Sequence, residues 1–242
     1  MRRGDYGYDA PYALVTFGCL SVVSALIAMM FWSKGPNRAA TWMTIYFVFF
    51  LANTVTFLHT TRRGKFLEWH RILDRLRLSG DERVLDIGCG RGAVLTAVAR
   101  RLTTGRVTGV DIWSTHDQSG NARDVTLRNA SLEGVGDRVD VETGDMRALP
   151  FPNATFDLVV SSLAIHNIRS NADRQKAVEE GFRVLKPGGR MVIADIRATR
   201  IYEEALRTLG ASNVERRRLG WRFWWGNPVA ATTLLTASKA PA

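Results

Sequence analysis

The stretch Asp86-Ile87-Gly88-Cys89-Gly90-Arg91-Gly92-Ala93 follows a β-rich run at 84–87 and opens a helical stretch over 91–101. Glycines at such a turn let the backbone approach a ligand closely, at a helix N-terminus whose amides point outward. Gly88, Gly90 and Ala93 also satisfy the dinucleotide pattern G-x-G-x-x-G/A, so the glycines alone do not choose a cofactor. Outward from this turn the pattern alternates. Further β-rich runs lie at 107–112, 139–143, 156–162 and 191–196, with helical stretches at 121–133 and 171–185. Strands alternating with helices predict a doubly wound, mostly parallel α/β sheet. Residues 214–222 and 231–238 differ. They read as two strands joined by an aromatic-rich turn and predict an antiparallel pair.

Acidic residues narrow the ligand. Asp86 stands two residues before the first glycine, where a carboxylate suits a cation and would repel a pyrophosphate. Asp111 ends the second strand, placed to accept the two hydroxyls of a ribose. Asp145-Met146 follows the third strand and offers a polar contact and a soft apolar surface to a purine. Leu185-Lys186-Pro187-Gly188-Gly189-Arg190 turns into the fifth strand.

Together these residues resemble class I S-adenosylmethionine-dependent methyltransferases over about 83–196. Residues 149–168 and 179–196 look like the branch containing ubiquinone and menaquinone C-methyltransferases and many small-molecule enzymes. The resemblance implies a Rossmann-like, seven-stranded sheet whose last strand is antiparallel. It implies S-adenosyl-L-methionine as cofactor and S-adenosyl-L-homocysteine as product. By it Asp86, Gly88, Cys89 and Gly90 line the methionine end, with Cys89 a small filler and not a nucleophile. Asp111 binds the ribose. Ile112 or Trp113 flanks the adenine, unless Trp113 packs under the next loop; Asp145 meets the adenine amino group, with Met146 beside it. Ser161 or Ser162 lies near the sulfonium. The polar loop 113–121 closes over the cofactor, with Gln118 and Asn121 its contacts.

The chain before this domain has another character. Residues 1–65 carry seven Lys/Arg and two acids, half of the net +10 charge. No charge occurs between Asp9 and Lys34 or between Arg38 and Arg62, and both gaps are long enough to cross a bilayer. We read two transmembrane helices, about 12–32 and 39–59, joined by the short turn 33–38. The organisation expected is a hairpin over 1–62, a linker or amphipathic helix over 63–80 and the methyltransferase domain over 81–242. The amphipathic segment either lies on anionic lipid or packs on the domain. Six Lys/Arg close after the second span, against two in the hairpin turn, place the C-terminal domain in the cytoplasm, in a multi-pass membrane protein. Gly18, Ser21, Ser24, Ala25 and Ala28 form a small-residue stripe, for packing within one hairpin or between copies in a homo-oligomer.

Chemistry and acceptor follow. His166, after the fourth strand, is the candidate catalytic base, or else a residue that caps the next helix. Asn167 would position an acceptor. Trp224, in the aromatic segment 221–228, would wall a lipophilic acceptor site; the same segment suits a bilayer contact or a plug on the sheet edge. A tethered active site searches lipid in two dimensions, so the expected partners are a small lipophilic substrate and the membrane bilayer. No metal site is expected: two cysteines make no zinc cluster and no carboxylate cluster stands apart from the cofactor acids. Nucleic acid is not an expected partner, because Ser161-Ser162-Leu163-Ala164-Ile165-His166 stands where amino-methylating enzymes carry N/D-P-P-Y/F. The alternatives kept open are a membrane NAD-dependent oxidoreductase and a non-catalytic membrane adaptor of methyltransferase-like fold.

Overall fold

The computed structural model describes residues 2–241. Helix α1 (Pro11–Trp32) starts with Pro11 in its first turn, where a missing N–H costs nothing. Helix α2 (Arg38–His59) starts at an Asn37 cap, whose side chain accepts the Ala40 amide. The two pack as a hairpin. Ser21, Ser24 and Ala28 are buried on α1, and Ala40, Asn53 and Phe57 on α2. Gly18 faces open space, so only part of the small-residue stripe serves packing within the hairpin. Val22, Leu26, Met29, Ile45, Phe49 and others point outward. Both helices are long and apolar enough to cross a membrane.

The segment expected as a linker or amphipathic helix is helical and continues the second helix. A π-turn, Thr60–Gly64, carries α2 into α3 (Lys65–Leu76) without a break. Gly64 there meets the carbonyl of Arg222 so closely that a Cβ would overlap it. Helix α3 packs on the domain: Phe66, Trp69, Ile72 and Leu73 are buried. Arg77, in left-handed conformation, ends it.

The sheet contains β1 (Arg83–Ile87), β2 (Arg106–Asp111), β3 (Val139–Thr143), β4 (Phe156–Ser162), β5 (Leu185–Asp195), β6 (Ser212–Arg218) and β7 (Thr233–Ser238), in the order β3-β2-β1-β4-β5-β7-β6. Strands β1 to β5 run parallel, and β7 lies antiparallel between β5 and β6. Helices α4 (Ala93–Ala99), α5 (Arg123–Leu132), α6 (Asn171–Val184) and α7 (Thr199–Thr208) cover its faces. One apolar cluster joins α3 and α4 to one face through Trp69, Leu73, Leu95 and Val98. The other joins α6 and α7 to the opposite face through Phe182, Tyr202 and Leu206. Helix α7 was not expected from the sequence, although Tyr202, Ala205 and Leu206 recur at helical spacing and are buried. The strand order reverses at β1 and β4, so the ends of these central strands open a crevice.

Candidate active site

The glycine turn lies at that crevice. Gly88, Gly90 and Gly92 all have positive φ, at 72°, 51° and 84°. A Cβ on Gly88 would overlap the Cβ of Ala164, which follows β4, and Met146 lies against the same glycine. The turn therefore brings the ends of β1, β3 and β4 together.

Asp86 is 1% exposed, and neither carboxylate oxygen has a hydrogen-bond partner. Burial, and then the charge of Asp111, push its pKa up to about 8. An ionised carboxylate in such a place wants a cation. This orphaned acid beside a glycine turn fits the ammonium end of S-adenosylmethionine and disfavours a pyrophosphate.

Asp111 is anchored. It accepts from the amides of Gly90 (2.8 Å) and Trp113 (2.6 Å) and from the Asn121 side chain (3.2 Å). Trp113 has φ of 62°, a left-handed backbone a bulky residue seldom adopts, and its indole donates to Thr143 at the end of β3. Ile112 is exposed beside it. Asp145 is half-exposed and clasped by Arg147 at 2.6 Å, which holds its carboxyl below the usual range.

Cys89 turns its thiol under the loop, onto Gly109 of β2. Burial, with Asp86 and Asp111 near, pushes that thiol well above its ordinary range, so it carries no thiolate at neutral pH. Ser161 is fully used as a tie between strands, donating to the carbonyl of Ile87 at 2.9 Å. Its neighbour Ser162 accepts from the Trp69 indole of α3 at 2.8 Å.

His166 sits in a short 3-10 turn, Ile165–Asn167, and its Nδ1 lies 2.5 Å from Asp195 at the end of β5. Asp195 is buried. It also accepts from the amides of His166 (3.1 Å) and Ile196 (2.7 Å) and from the Tyr202 hydroxyl (3.2 Å). The carboxylate stands beside the imidazole, but Nδ1 makes no hydrogen bond in this arrangement; the pairing is one a general base uses once the ring and carboxylate align. Neither Asp195 nor Tyr202 was expected; only the shared position of 166 and 195 after adjacent strands could have signalled the pair. Asn167 is exposed, at the rim of this turn.

Loop 113–121 does close over the turn, and Gln118 accepts the Arg91 amide at 2.9 Å. A second cover comes from the segment before α1, which the sequence reading assigned no role. Asp5 pairs with Arg91 at 2.8 Å, the Tyr6 hydroxyl meets Thr96 at 2.9 Å, and Gln118 donates to Asp9 at 3.3 Å. Asp9 in turn pairs with the buried Lys65 and accepts from Thr61. Trp224 lies in a segment packed on the base of the hairpin, and its carbonyl accepts from Thr60.

Residues 85–193 match the family model described as a methyltransferase domain. A sterol 4-C-methyltransferase of Caenorhabditis elegans is 32% identical over 133 residues, 55% of this chain and 36% of that protein. A ubiquinone/menaquinone biosynthesis C-methyltransferase of Hydrogenovibrio crunogenus is 37% identical over 132 residues, 52% of this chain and 48% of that protein. This chain thus spans about half, or less, of the length of these relatives. In structure it resembles the geranyl diphosphate C-methyltransferase of Streptomyces coelicolor, with TM-score 0.59 at 18% identity over 74% of this chain and 81% of that one. It also resembles the [4+2]-cyclase SpnF, with TM-score 0.58 at 21% identity over 72% of this chain and 82% of that one. Likeness at these identities establishes the fold alone, and SpnF is named for a cyclisation.

Proposed function

We propose, from the match of residues 85–193 to the methyltransferase domain family, that this chain is a membrane-anchored S-adenosylmethionine-dependent methyltransferase acting on a small lipophilic acceptor. The orphaned Asp86 beside the glycine turn carries the cofactor part of this reading. Asp86, Gly88 and Gly90 would hold the methionine end, Asp111 the ribose, and Ile112, Trp113 and Met146 the adenine. When bound, the cofactor supplies a methyl group already activated on a sulfonium, ready for in-line displacement.

The chain's own residues do the rest. Loop 113–121 and residues 5–9 cover the glycine turn and exclude water. His166 takes the acceptor's proton on Nε2, with the Asp195 carboxylate beside Nδ1 to orient the ring once the two align. Tyr202 and two amides keep Asp195 oriented; these are positioning contacts.

The lipophilic acceptor rests on the hairpin. Apolar residues of α1 (Ala13, Leu14, Phe17) pack with the same core cluster as Trp113, Leu163 and Ile196, which follow β2, β4 and β5. On this reading the start of α1 stands beside the crevice, with Tyr12 stacked on His116 of the covering loop. The named acceptors of the relatives (sterol, ubiquinone or menaquinone precursor, geranyl diphosphate) share an apolar body. The excess of Lys/Arg after α2 supports a cytoplasmic catalytic domain.

Binding tests the cofactor assignment. Titration calorimetry of the purified full-length protein should show S-adenosylhomocysteine binding and no competition from NADH. Binding of NADH in its place would favour the oxidoreductase reading.

A further inference from the structure

The connection between β6 and β7 does not project into solvent. It runs along the helical hairpin. The Arg222 carbonyl meets Gly64, and Trp224 accepts from Thr60. Trp221 lies 5.0 Å from the His59 ring, and Trp225 meets Phe57 edge-on at 5.0 Å. Gly226 seats against Asn53, and the Asn227 side chain donates to Asn53 at 2.9 Å. From Gly64 to Asn53 these contacts climb the helix by about 16 Å at 1.5 Å per residue.

Helix length fixes the depth of that climb. Arg38 marks the far end of the apolar run, and Asn53 lies about 22 Å from it. A hydrocarbon core is about 30 Å thick, so the near boundary falls about 20 residues from Arg38, at Leu58 and His59. The same count back from Trp32 on α1 reaches Tyr12, so both helices set one plane. Helix tilt moves the boundary further along each helix and deepens whatever is docked there. Asn53 therefore lies about 8 Å inside the hydrocarbon at this rise, and Gly226 and Asn227 lie beside it.

The segment is built for that position. From Phe223 to Ser238 it holds no charged residue. Part of its backbone is closed internally: Trp225 N–H donates to the Ala230 carbonyl, Thr232 N–H to that of Phe223, and the Val229 and Ala230 amides to the Asn227 side chain. Irregular backbone at membrane depth requires such closure. Its exposed large hydrophobic side chains are Val229, at 89%, and Trp221, at 51%, with Arg222 over the Trp221 ring at the Gly64 end.

We propose that residues 221–230 are a third membrane-contacting element, whose tip at Pro228–Val229 enters the acyl chains of the lipid beside α2. The catalytic domain is then sunk into the interface and not merely tethered above it. This rests on the reading that the hairpin spans the bilayer.

Nitroxide labels on the full-length protein in phosphatidylcholine–phosphatidylglycerol vesicles test it. Val229→Cys, Val22→Cys and Lys176→Cys are each made in a Cys19→Ser background, with Cys89 buried. Collision with oxygen is compared with collision with a water-soluble nickel chelate. The label at 229 should favour oxygen and report a depth of about 5–10 Å. The label at 22 should lie deeper, and that at 176 in water. A label at 22 in lipid with 229 in water overturns this proposal alone. A label at 22 in water overturns the spanning reading, and this proposal with it.

Discussion

Asp86→Asn should make the cofactor-free protein more stable while removing its ligand. Asp86 has a carboxyl raised from 3.8 to about 8 by burial. Between those values the folded chain holds a proton that the unfolded chain has released, so stability falls as pH rises through that window. At pH 7 the gap amounts to about 4 kcal/mol at 1.36 kcal/mol per unit. Asparagine keeps the shape and carries no charge, but its buried amide returns about 1–3 kcal/mol of the gain. A net gain of about 2 kcal/mol corresponds to a melting temperature higher by about 4–8 °C for a chain of this size. The assay is tryptophan-fluorescence melting in detergent at several pH values. The stability difference should grow by about 1.4 kcal/mol per pH unit from pH 5 and level off above about pH 8. S-adenosylhomocysteine affinity should fall by about 100-fold or more, the cost of losing one partner of a buried charge pair. A variant less stable than the parent at every pH, or a pH-independent difference, would refute the picture of a solitary buried carboxyl.

His166→Gln should lower turnover by about 100- to 10,000-fold while leaving cofactor affinity unchanged, as calorimetry beside a single-turnover assay would show. Asp195→Asn should lower kcat less than His166→Gln in the same single-turnover assay, because it acts on the base only through its orientation. Gly88→Ala, at φ of 72° and against Ala164, should abolish cofactor binding with a loss of about 1–3 kcal/mol in stability, checked by calorimetry and melting. Lys65→Met leaves the largely buried Asp9 without its cation and should raise amide exchange in residues 4–10, measured by hydrogen-exchange mass spectrometry, with little change in β1 or β4.

The sheet was legible because its signals are local. Short β-rich runs, a glycine turn after the first and a closing aromatic hairpin each name their element without the rest. Helix α7 was missed although Ile201, Tyr202, Ala205 and Leu206 form an apolar stripe beside four charges; ten residues give fewer than three turns of pattern, too short a run to stand out. The 63–80 segment showed its apolar face plainly, but no spacing rule says whether lipid or protein covers such a face; Trp69 bonded to Ser162 decides for the domain.

The site divides along the same line. Asp86 and the glycines are marked by their positions at strand ends, whereas Ser161 points sideways into β1 and is consumed by a backbone carbonyl. Asp195 was hidden because its partner is 29 residues away, in the turn after a neighbouring strand. The cover formed by residues 5–9 was hidden for a similar reason: short polar segments take their meaning from what they fold onto.

The central claim is methyl transfer to a lipophilic acceptor, and one measurement addresses it directly. Membranes containing the protein are supplied with S-adenosylmethionine labelled in its methyl group and then extracted with organic solvent, beside membranes carrying the Asp86→Ala, Asp111→Ala double variant. Label should enter the organic phase only with the parent protein. Label that stays in the aqueous phase, although the parent binds the cofactor, would contradict a lipophilic acceptor.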